Sequence, residues 1–290
     1  MTEPVPLSTV FSADDAGVII CAAGTQDFRV HKLLLSLVSP VFKDMFTLPQ
    51  PPSVKPDSLP RIDVQDPPGA WENILRTIYP TPPNPTIGTI DDLESLLLAA
   101  HAYEMQPVIE VHQKAFENQE FIKKDPLRLF SIACACAFED QASYVARNAE
   151  LVKVTRRPDT ADLGGLTLPA YRRLVSFLVG RDNEWQGTLG KFSVPWCRGG
   201  GCRGDSVALY NGIVADLRQP CLQVEQIYFN ALERRSCCQS GCSDTDCVLS
   251  RQRIKGFVQE MIGKRGRVCD KFRPKEWYAD GRALSRKLIY

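Results

Sequence analysis

Between Val18 and Phe46 the chain changes its hydrophobic period once, and that change restricts its fold more than any other stretch. Val18-Ile19-Ile20-Cys21-Ala22 and Asp27-Phe28-Arg29-Val30 are short β-prone runs separated by Ala23-Gly24-Thr25. This spacing predicts a hairpin, with Gly24 available for a positive φ. His31 and Lys32 then open a helical segment in which Leu34, Leu37 and Val38 share one face. Ser39-Pro40 supplies an N-cap followed by a proline at the first helical position. Val41, Phe42, Met45 and Phe46 continue at helical spacing. The chain therefore opens as a mixed unit of sheet and helix.

Three later segments extend the pattern. Leu59-Pro60-Arg61-Ile62-Asp63-Val64 reads as another strand, and Ala70 to Tyr79 as a helix with a final aromatic. Asp92 to Met105 reads as a further helix, with His101 before Ala102-Tyr103. With the run from Phe28 to Phe46, these segments resemble, in order, the signature elements of BTB (POZ) domains, of the kind abundant in fungi. Four such segments across about a hundred residues are more specific than one short motif. The resemblance covers roughly residues 11 to 120. It implies an α+β fold, a small β-sheet with packed helical hairpins, followed here by a mainly α-helical C-terminal region.

The resemblance also implies a role. BTB domains bind proteins, so the chain is expected to be a self-associating scaffold or adaptor. His31 is expected to be structural. Apolar residues among Leu33 to Phe46, and the segment Leu7 to Phe11, are candidates for a self-complementary homodimer contact. A second role is substrate adaptor of a cullin-based ubiquitin ligase. Family members that hold a cullin often carry an apolar-x-Glu triplet soon after the Met-Phe pair, whereas Met45-Phe46 is followed by Thr47-Leu48-Pro49-Gln50. A third is a transcriptional regulator with a zinc-stabilised C-terminal region.

Length and punctuation divide the chain into three expected parts: residues 1–120, a helical extension over 121–185, and a cysteine-rich helical region with a basic tail over 186–290. Its 290 residues allow about two domains, and 44% hydrophobic with 24% charged residues is the composition of a folded protein. Prolines 49, 51, 52, 56 and 60 crowd one loop, and 80, 82, 83 and 85 another, so neither is an uninterrupted helix. Val108, Val111, His112 and Ala115 share one helical face. Asp125-Pro126 starts a helix with Leu129, Ile132, Ala133 and Cys136 at helical spacing. Ala142, Val145, Ala146, Ala149 and Val152 predict one more, and the segment from Leu168 to Leu178 another, closed by Gly180. Cys134 and Cys136 lie two apart on one helix, face different ways and read as small core residues.

Eleven cysteines in a chain without a basic leader or a membrane-length apolar run suggest an intracellular protein, cytoplasmic or nuclear, with free thiols or a metal in preference to a disulfide framework. Cys197, Cys202, Cys237, Cys238, Cys242 and Cys247 form the one group with ligand-like spacing. Cys197 and Cys202 have four residues between them, as do Cys237 and Cys242, and Cys242 and Cys247. Two amphipathic segments, Val207 to Leu217 and Val224 to Leu232, flank Gln219-Pro220 and read as a helical hairpin that returns the second group to the first. Two readings stand side by side, unpaired and partly buried thiols, or one structural zinc site shared by four of the six at most, with regulated disulfides as a third.

Charge is uneven. From Arg251 to Tyr290 the chain carries 12 Lys or Arg against four acids, including Lys264-Arg265-Gly266-Arg267 with Trp277 and Tyr278 nearby. Such a segment suits acidic proteins, nucleic acid or anionic lipid, or simply a solvated basic helix and tail. Direct nucleic-acid binding and membrane contact are not expected, because no DNA-reading fold accompanies the charge and no spanning segment is present. There is no phosphate loop and no Gly-x-Ser-x-Gly elbow, and no third residue to orient a Cys-His pair, so the chain is not expected to be an enzyme.

Overall fold

The computed structural model describes residues 5–48, 59–80, 85, 87–156, 163–190, 203–217, 227, 230–231 and 251–277. Their contacts divide the chain into two compact units. One holds the residues up to Phe121 with Ser131–Gln141, and the other holds Ile122–Phe130 with the residues from Ala142 to Ala279.

The first unit is built on a four-stranded mixed sheet of β1 (Leu7–Ser12), β2 (Val18–Ala22), β3 (Gln26–Val30) and β4 (Arg61–Val64), in the order β1-β3-β2-β4. The β2–β3 hairpin pairs Val18 with Val30 and Ala22 with Gln26. Spacing alone assigns a positive φ to Gly24; the turn gives it to Ala23 as well, at 46° beside 66° for Gly24. Two consecutive positive φ values make the mirror-image turn whose twist matches the flanking strands. It is closed by the Thr25 amide donating to the Ala22 carbonyl at 2.9 Å.

Strand β1 is an addition to the hairpin that alternation does not reveal. Its burial does not alternate, because the Ser8 hydroxyl accepts the amides of Val10 and Phe11 at 3.3 and 3.2 Å and bulges the strand. Phe11 consequently turns into the core, while Val10 remains exposed.

Helices α1 (Lys32–Val38), α2 (Pro40–Thr47), α3 (Pro68–Ile78), α4 (Ile90–Ala102) and α5 (Gln106–His112) complete the first unit, with α6 (Gln119–Lys124) at its boundary. The Ser39 hydroxyl accepts the Phe42 amide at 3.2 Å, the predicted cap, and donates to the Tyr103 carbonyl at 2.6 Å. Phe42 meets Trp71 edge-on at 5.8 Å and lies 5.1 Å from Tyr103. The Asp66 carboxylate accepts from the Tyr103 hydroxyl at 3.0 Å and the Trp71 indole at 3.4 Å, so both polar tips of this cluster are satisfied. On α5 it is Val108, Ile109 and His112 that face inward. Val111, assigned by spacing to the inner face, is 45% exposed, because the helix starts from the buried Met105 and so presents Ile109 to the core instead.

His112 Nε2 lies 2.9 Å from the Thr77 hydroxyl, which also bonds the Asn73 carbonyl at 2.8 Å. Burial lowers the affinity of this imidazole, and of His101, for a second proton. Both histidines titrate below their ordinary value of 6.5 in the fold, so the unfolded chain takes up more protons as the pH falls through that value. Stability is thus full above about pH 6.5 and declines below it. The urea midpoint is expected to drop on acidification from about pH 7.5 to about pH 5.5, and to drop less in His112→Gln. Equal slopes for the two proteins would remove His112 as a source.

In the second unit, α8 (Glu139–Asn148) and α9 (Leu151–Thr155) replace the single predicted helix through Val152. The break has a cause. Arg181, 3% exposed, donates to the carbonyls of Ala146, Arg147 and Ala149 at 3.0 to 3.2 Å, and so removes acceptors that a continuing helix would use. Helix α10 (Leu168–Gly190) runs through Gly180 instead of ending there. A Cβ on Gly180 would lie 2.5 Å from the Phe272 ring, so this glycine serves close helix packing, not termination.

Helix α7 (Pro126–Ala135) starts at the predicted place, with the Asp125 carboxylate accepting the Arg128 amide at 3.1 Å. Helices α11 (Arg203–Leu217) and α12 (Arg251–Phe272) pack with α10 around Trp185, Tyr210, Ile213, Ile254, Val258 and Met261. Tyr210, Ile213 and Leu217 are the inward residues that the amphipathic pattern predicts. Of the second predicted arm, Ile227, Asn230 and Ala231 are described and helical.

Candidate protein-interaction surface

Two short helices that share one stabilised side leave the other side to solvent. In α1 the inward residue is Leu35, 1% exposed, and not the Leu34, Leu37 and Val38 stripe. The helix is only seven residues long and is fixed at both ends, so its ends set its rotation. At the start, the His31 amide donates to the Tyr79 hydroxyl at 3.0 Å, while His31 Nδ1 lies 2.8 Å from the same oxygen and Nε2 lies 3.2 Å from Asp15. At the end, Ser39 is pinned as described. Those anchors turn Leu35 and Phe42 inward.

The same rotation sends Leu33 and Leu37 outward, at 69% and 70% exposed. Four residues apart, they stand one above the other on one face. Leu48, after the end of α2, is 63% exposed. Leu7 and Val10 on edge strand β1 are also exposed, at 41% and 42%. Of the residues that sequence nominates for self-association, Phe11, Leu35 and Phe42 belong to the internal core and drop out. Leu33, Leu37, Leu7 and Val10 remain accessible. The sequence pattern does not separate these sets, because a short helix with leucine at four of its first six positions has no unique apolar face. Among the described residues His31 contacts Tyr79 and Asp15, both within the first unit.

The six cysteines nominated for zinc, Cys197, Cys202, Cys237, Cys238, Cys242 and Cys247, lie outside the described residues, as do residues 49–58 and 81–84 of the proline-rich loops. Among the described residues no three potential ligands gather into a metal site. Cys134 and Cys136 are buried, and burial pushes both thiols up to about 12, so they are protonated and inert at neutral pH.

The basic segment behaves unlike a free patch. Helix α12 buries Ile254, Val258, Met261 and Val268, and two of its lysines are paired, Lys264 with Glu260 at 2.6 Å and Lys271 with Glu184 at 3.1 Å. Trp277, grouped by sequence with the exposed basic residues, is fully buried. Its indole donates to the Ser143 hydroxyl at 2.7 Å, so it is not available to stack on a base. Residues 278–290, with the rest of the basic tail, lie outside the described residues. Among the described residues no helix is long and apolar enough to cross a membrane.

A comparison with curated proteins finds no match. A comparison with protein families matches residues 16–120 to the BTB/POZ domain, the span that contains the β2–β3 hairpin, the pinned α1–α2 pair and the Trp71–Tyr103 cluster. This part of the chain is a BTB/POZ domain, a protein–protein interaction module, followed by a mainly helical C-terminal region.

Proposed function

We propose that the chain is a self-associating scaffold in which two copies pair through the outer face of α1 and present their helical C-terminal regions to other proteins. The observation that carries this reading is the solvent-facing pair Leu33 and Leu37 on a helix whose opposite side is locked into the core. Apolar side chains held in water gain from burial in proportion to the area covered, and a two-fold axis supplies a matching apolar patch from a second copy. A stable pair needs roughly 1,000 Å² or more of buried surface, so the contact extends beyond two leucines, and exposed Leu7 and Val10 are further contributors.

The test is light scattering coupled to size-exclusion chromatography on the whole chain. The wild-type chain is expected to elute as a dimer, and Leu33→Glu with Leu37→Glu as a monomer that keeps the wild-type far-ultraviolet circular dichroism spectrum and loses the concentration dependence of the melting point. Dissociation is expected to rise on the order of a hundredfold or more, because two charges are forced into an apolar contact. A wild-type monomer at every concentration would end this proposal. A ligase adaptor differs in that a cullin co-purifies with the chain, and a transcriptional regulator in that the chain binds DNA in a salt-sensitive way.

We propose also that four of Cys197, Cys202, Cys237, Cys238, Cys242 and Cys247 hold one structural zinc, on the strength of their repeated four-residue spacing. Emission spectrometry of the purified chain is expected to find about one zinc per chain, and loss of helix and of thermal stability on chelation. Zinc-free protein of undiminished stability excludes the site.

A further inference from the structure

We draw no further inference here: the strongest candidate, the side-chain cluster on the four-stranded sheet in which the Arg61 guanidinium donates to the Cys21 sulfur at 2.7 Å and to Asp27 at 2.6 Å beside the buried Asp27 Oδ1 atom, carries nothing because burial keeps the Cys21 thiol protonated and, among the described residues, no three potential ligands gather there to hold a metal.

Discussion

Trp277→Ala is expected to destabilise the second unit by about 3–5 kcal/mol, the range for removing a large aromatic from a packed core. Trp277 is 0% exposed, and its ring is met edge-on by Phe130 at 5.4 Å and by Phe177 at 5.3 Å. Alanine leaves a void among residues brought from α7, α8 and α10, which α-helical backbones cannot close by a local shift. It also strands the buried Ser143 hydroxyl, now 2.7 Å from the indole nitrogen. The Arg173 guanidinium, which donates to the Trp277 carbonyl at 3.1 Å, loses a fixed acceptor as the segment loosens. Urea unfolding followed by far-ultraviolet circular dichroism measures the loss. Trp277→Phe, which keeps most of the packing and removes the donor, is expected to cost about 1–2 kcal/mol. A variant with alanine at 277 and wild-type stability would show that the segment after α12 is a free tail. The functional consequence is that this end of the chain holds a helical unit together, and a change in nucleic-acid or protein binding on mutating Trp277 reports lost structure.

Arg181→Met is expected to cost about 3–5 kcal/mol, the range for removing one partner from a buried charged network. The guanidinium is almost fully enclosed, donates to three carbonyls at the end of α8, and pairs with Asp182 at 2.6 Å. A cation at a helix C-terminus also meets the negative end of the helix dipole. Methionine keeps much of the volume and supplies no donor, so three carbonyls lose their fixed partner where water has little access. Arg181→Lys retains the charge but cannot span Ala146, Arg147 and Ala149 with one ammonium, and is expected to recover about half of the loss. Hydrogen exchange locates the effect: amides at the α8–α9 junction are expected to exchange faster in Arg181→Met than in the wild-type chain. Uniform acceleration across the unit, with no excess at the junction, would contradict the assigned capping role.

These two residues illustrate where sequence reading stops. Nothing around Arg181 in the chain distinguishes it from Arg172 or Arg173, yet one is enclosed and another is at the surface. The three sit on a helix at spacings that point in different directions, and only the position of α8 decides which direction is interior. Trp277 follows a basic helix and is preceded by Lys275 and Glu276. Its neighbours therefore suggest a solvated aromatic, whereas its partners, Ser143 and Phe130, lie more than a hundred residues away. Gly180 reads as a stop until the Phe272 ring is placed against it.

Local patterns along the chain suffice for the first unit's main elements: the 18–30 hairpin, the Ser39 cap, the helices around Trp71 and Leu97, and hence the BTB/POZ domain. These rest on turn chemistry, caps and apolar period, which act between residues close in the chain. Only contacts made in three dimensions turn Leu35 inward while Leu33 and Leu37 face outward, and, through Arg181, end α8. Each of those outcomes depends on a hydrogen bond or a packed ring contributed from elsewhere in three dimensions. Such a contact selects among faces or endpoints that the local pattern leaves nearly equal in energy.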